Sequence, residues 1–188
     1  MPVNKRNKHY PIFTDRKRSV NVGWDEFTDH LQQHGAYGFL VNPYYHYCVV
    51  AFGDERYLQA MRALFFVDME EDVSRSAGMV TRPGNIPGTN NLLSVFLPEK
   101  YDAEIFWHEA LHIAMMTLET HGVKLHEQEA LTYLQCFVHS QLQMCHDMFL
   151  ADRKAGLTPD IREIFTGNVD ELNQPDYYSC PVKVRSRP

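Results

Sequence analysis

Two histidines four residues apart, with a glutamate directly after the first, form the group in this chain best suited to chemistry: His108-Glu109-Ala110-Leu111-His112. On a helix, residues i and i+4 share a face, so two imidazoles in this register can grip one ion. Zinc suits such ligands, and it lowers the pKa of a bound water toward neutrality. Glu109 follows the first ligand and can accept the proton of that water, while the same ion polarises the carbonyl under attack. The expectation is hydrolysis with Zn2+ as cofactor, His108 and His112 as metal ligands and Glu109 as general base.

A catalytic zinc takes three protein ligands and leaves a position for water. Glu119, seven residues past His112, lies about 10.5 Å farther along the same helix at 1.5 Å per residue, too far to share the ion. Glu127 and Glu129 open the next helical segment. Two helical residues turn by about 200°, so only one of them can face the histidines. Ala130, Leu134, Phe137 and Val138 make an inward apolar stripe with Tyr133 at its edge. Glu129 borders that stripe and Glu127 falls on its far side, so Glu129 is the expected third ligand. Tyr133, one turn beyond Glu129, is a catalytic candidate whose hydroxyl can orient a ligand or stabilise an oxyanion. The competing reading makes it an ordinary core tyrosine.

The stretch HEALHIAMMTLETHGVKLHEQEALTYL, residues 108–134, resembles the gluzincins, the thermolysin-like zinc metallopeptidases, in which a second helix supplies a glutamate ligand. It is more similar still to small HExxH proteins encoded by bacteriophages. The resemblance covers about 30 residues and does not extend to residues 1–90. It implies a zincin-like fold, a peptide or protein substrate of narrow range, and the host cytoplasm for a phage-encoded chain. One departure stands out: thermolysin-like enzymes place an aspartate where this chain has Tyr133. The metzincin pattern is excluded, because Met115 and Leu118 replace its glycine and third histidine.

Several elements must position these residues. Trp24–His34 has helical spacing and a stop at Gly35. Two β-rich runs, Tyr37–Val41 and Tyr45–Phe52, flank Asn42-Pro43 and predict a hairpin. Asp54 caps a helix through Leu58, Met61, Leu64 and Phe65. Residues 82–91 are turn chemistry, and Leu92–Leu97 reads as a buried strand closed by Pro98. The HExxH helix runs from Ala103 to His121, with Asp102 before it and Gly122 after. A longer helix spans about Glu127 to Ala151, and a short one follows Pro159. The expected class is α+β and zincin-like: a small N-terminal sheet, then the HExxH helix and a second long helix.

A chain of 188 residues with 44% hydrophobic content can bury one core. Three parts are expected: a basic arm (1–19), a metallopeptidase domain (20–174) and an irregular tail (175–188). The arm carries +5 and residues 181–188 carry +3, leaving about −14 on the body against a total of −6. A solvated tail explains such an arm better than nucleic-acid contact does. No apolar run reaches bilayer length and the N-terminus lacks a signal pattern, so the cytoplasm is expected. Cys48, Cys136, Cys145 and Cys180 form no CxxC pair, and free thiols are the simplest reading. Cys136, His139 and His146 share a helix and make a weaker candidate for a second metal site; His126 reads as a loop residue. The rival to an enzyme is a non-catalytic structural or adaptor protein braced by zinc, in which Glu109 would have no task. Oligomeric state and substrate identity are not encoded in any pattern found.

Overall fold

The computed structural model describes residues 10–15, 17–67, 73, 76–82, 91–124 and 128–158. Its class is α+β. A four-stranded mixed sheet carries the core. It is built from β3 (Ala36–Val41), β4 (His46–Phe52), β5 (Met79–Thr81) and β6 (Leu92–Leu97) in the order β3-β4-β6-β5. The expected hairpin is present as antiparallel β3 and β4, with Val41 opposite His46. β6 runs parallel to β4, and β5 pairs antiparallel to β6. Every residue of β4 and β6 is buried, as sheets covered on both faces require.

Alternation along the strands feeds two cores. Cys48, Val50, Phe52, Leu93, Val95 and Leu97 point to one side, where they meet α3 (Ala103–Thr120) and α4 (Gln128–Ala155). Tyr47, Val49, Ala51, Leu92 and Phe96 point to the other. There they meet α1 (Trp24–Gln33) and α2 (Asp54–Phe65). A two-stranded hairpin, β1 (Tyr10–Asp15) and β2 (Arg18–Val22), closes the second core through buried Tyr10, Phe13 and Val22. The boundary expected after residue 19 therefore falls inside a folded hairpin. The expected order, strands first and helices last, also differs, since α1 and α2 alternate with the strands.

Helix ends follow the sequence closely. The Asp102 carboxylate accepts from the amides of Glu104 and Ile105 and starts α3. Gly122, at φ +68°, lets the chain turn away after α3 in a left-handed conformation. α4 packs antiparallel to α3. The His139 ring stacks on Trp107 within α3, whereas Gln143, one turn later in α4, donates to the Tyr101 hydroxyl just before α3 begins. Among the described residues no helix is long and apolar enough to cross a membrane. The short helix expected after Pro159, the tail and Cys180 lie outside the described residues.

Candidate metal centre

α3 is buried along one side and exposed along the other. Phe106, Ala110, Ile113, Ala114 and Leu118 face the core, while His108 and His112 occupy the exposed face. One helical turn brings their Nε2 atoms to 3.0 Å, with ring centroids 4.6 Å apart and ring planes at 81°. Two nitrogens at about 2.0–2.1 Å from one tetrahedral ion would be roughly 3.3 Å apart, so the pair fits an ion with a small opening of the side chains. Burial lowers the pKa of His112, and the neighbouring His108 lowers it further. Both effects favour the neutral form that a metal needs.

Glu109 lies against Gly78 at the sheet edge, lines the same cleft as His108, and is only 3% exposed. Burial raises its carboxyl pKa, partly offset by His108. Its Oε2 atom is buried without a hydrogen-bond partner among the described residues. A buried carboxylate oxygen left open beside two converging imidazoles fits a metal-bound water as its missing partner. The segment before β5 forms the opposite wall. Ser76, Ala77 and Gly78 close with Glu104, Ile105, His108 and Glu109 around a cleft of about 380 Å³. Sequence reading missed this wall; a three-residue strand behind a glycine leaves almost no periodic signal.

Other expected participants are placed differently. Glu129 lies in the first turn of α4 and is exposed. Among the described residues, no three His, Cys, Asp or Glu side chains converge on one point. Tyr133 is 77% exposed and so is not a core tyrosine. The stripe that packs inward is Leu134, Val138, Leu142, Cys145 and Phe149 with Leu131 beside it, which turns Tyr133 outward with Phe137. Cys136, His139 and His146 do not gather into a second site. The His146 Nε2 lies 3.0 Å from the Glu99 carbonyl, and the His139 ring stacks flat on Trp107 at 4.0 Å. Glu127 and His126 lie outside the described residues.

Comparison of the chain with family models, with curated proteins and with solved structures returns no match.

Proposed function

We propose that this chain is a zinc-dependent metallopeptidase of zincin-like, gluzincin-like type, acting on a narrow range of peptide substrates. One observation carries the reading: the Nε2 atoms of His108 and His112 converge to 3.0 Å beside a Glu109 carboxylate whose Oε2 is buried and open. Zinc, when bound, supplies an acidified water and a polarised carbonyl. His108 and His112 hold it, with Glu129 as the third protein ligand. Glu109 accepts the proton of the attacking water and returns it to the leaving amine. Its raised pKa suits both tasks, since a stronger base accepts more readily near neutral pH. Among the described residues β5 is an edge strand, with β6 on one side only. Its outer edge can pair with an extended peptide and lay it across the histidines.

The test is Glu109→Gln in zinc-loaded protein, incubated with a complex peptide mixture and read by mass spectrometry. Wild type should cut a small set of peptides, and the variant should retain zinc and cut none. Equal cleavage by both proteins would reject Glu109 as the base. A zinc-loaded wild type that cuts nothing would favour the bracing role for the metal.

A further inference from the structure

Arg82 directly follows β5, two residues beyond Val80, which packs against the α3 core. Its Nη2 donates to the Met116 carbonyl at 3.3 Å and to the Thr120 hydroxyl at 2.8 Å. Both acceptors are neutral, and Arg82 is exposed. Among the described residues no carboxylate pairs with it. The guanidinium is thus held in one orientation by α3 while, among the described residues, its Nε and Nη1 donors have no partner. Lys or Arg on a protein surface ordinarily has a mobile head; this one is fixed at two points and has no counter-ion among the described residues.

Its position relative to the metal centre gives that cation a use. Met116 and Thr120 lie seven and eleven residues past Glu109, two and three helical turns, so all three share one side of α3. Arg82 therefore stands about 10–16 Å along the helix from Glu109 at 1.5 Å per residue. An extended peptide covers that in roughly three to five residues at 3.3 Å each. The other end of the cleft is lined by Glu104. A peptide carboxylate is drawn toward Arg82 and repelled by Glu104, which sets the direction in which a chain lies.

We infer, on the basis of the metallopeptidase reading, that a peptide laid along the outer edge of β5 is selected by a carboxylate three to five residues from the bond attacked, and that Arg82 binds it. The planar fork of arginine matches a carboxylate with two parallel hydrogen bonds, a geometry lysine cannot copy.

The experiment uses full-length zinc-loaded Glu109→Gln protein and dye-labelled, C-terminally amidated decapeptides read by fluorescence polarisation. One set places Glu three to five positions on either side of the central bond; its partner set has Gln there. A third has Gln and a free C-terminal carboxylate. The Glu or free-terminus peptides should bind about tenfold tighter than the amidated Gln set, the scale of a charged hydrogen bond at a partly exposed site. Which of the two wins identifies side chain or chain end as the source. Adding Arg82→Gln should erase the preference with zinc content unchanged, and Arg82→Lys should restore only part of it. Equal binding of all three sets, no binding, or a preference that survives Arg82→Gln would overturn the inference. The metallopeptidase reading fails separately, through zinc retained by the histidine variants or absence of cleavage by wild type.

Discussion

Gly78 lies against Glu109 so closely that a Cβ at position 78 would stand 2.9 Å from both Cγ and Oε1 of the glutamate, and 2.8 Å from Cγ2 of Ile105. Such contacts force a shift, and the nearby backbone and the buried carboxylate are the parts that must give. Gly78→Ala is therefore expected to displace Glu109 while sparing the histidines. Overpacking of this kind costs about 1–3 kcal/mol of stability. A 1 Å displacement of a reacting group costs on the order of 100-fold in rate. Zinc content should stay at the wild-type level while turnover falls. Full turnover in the alanine variant would show that the 76–78 wall does not hold the base.

How much of this was legible in the sequence depends on how local the signal is. The ends of α3 were readable because Asp102 and Gly122 act within one turn of themselves. The pairing of His108 with His112 was readable for the same reason. The wall over Glu109 was not, since β5 owes its place to pairing with β6, thirteen residues away in the Thr81–Ser94 register. The outward turn of Tyr133 was not legible for another reason. α4 has apolar residues on two sides, Leu134 and Val138 on one and Phe137, Met144 and Met148 on the other. Periodicity finds both stripes and cannot say which one meets the sheet. The hairpin at Tyr10–Val22 was hidden by its charge, because Arg18 and its neighbours sit on an exposed strand whose partner buries Tyr10 and Phe13.

The metal itself gives a direct prediction. Purified wild-type protein should carry one zinc per chain by elemental analysis. His108→Ala and His112→Ala should each lose it, because one imidazole alone cannot hold the ion against buffer. Both positions are exposed, so neither change should cost much of the fold, and circular dichroism should be unaltered. Zinc retained in full by both variants would remove the assignment.

His46 predicts an acid sensitivity independent of the site. It begins β4, is fully buried, and has no partner for either ring nitrogen among the described residues. Burial first, then His121 and Arg82, push its pKa down to about 4. In the unfolded chain the ring titrates near 6.5. Below that pH the unfolded state binds a proton that the folded state refuses, so stability falls as pH drops from about 6.5 toward 4 and levels off beneath. The loss from this one group is on the order of 3–4 kcal/mol at roughly 1.4 kcal/mol per pKa unit. His46→Leu should flatten that part of the profile in denaturant titrations at pH 7, 5.5 and 4. A variant whose stability falls in parallel with wild type would show that His46 is not the acid-sensitive group.

The proposal of Glu129 as third ligand rests on the way α4 lies on α3. The Gln135 amide donates to the Trp107 carbonyl at 3.2 Å and fixes the register of the two helices. Glu129 is six residues before Gln135, about 9 Å along α4, and His112 is five residues past Trp107, about 7.5 Å along α3. Because the helices are antiparallel, both distances run the same way, and Glu129 falls between the level of His112, counted from this bond, and about 7 Å beyond it, counted from the His139 ring stacked on Trp107. Its carboxylate is exposed at that height. No other carboxylate among the described residues of α4 comes so near that level: Asp147 and Asp152 lie toward its far end. An anionic ligand there would also offset the charge of the ion on two neutral imidazoles. Loss of groups that merely support a ligand costs 10–100-fold in metal affinity, so loss of the ligand itself in Glu129→Ala should cost more than about 100-fold. Glu119→Ala, seven residues past His112 on α3, should change nothing. Glu127→Ala, on the far side of the expected stripe, should also have little effect. Parallel zinc titrations against a chelating dye separate the cases. An affinity unchanged in Glu129→Ala but sharply reduced in Glu127→Ala or Glu119→Ala would transfer the role to that residue.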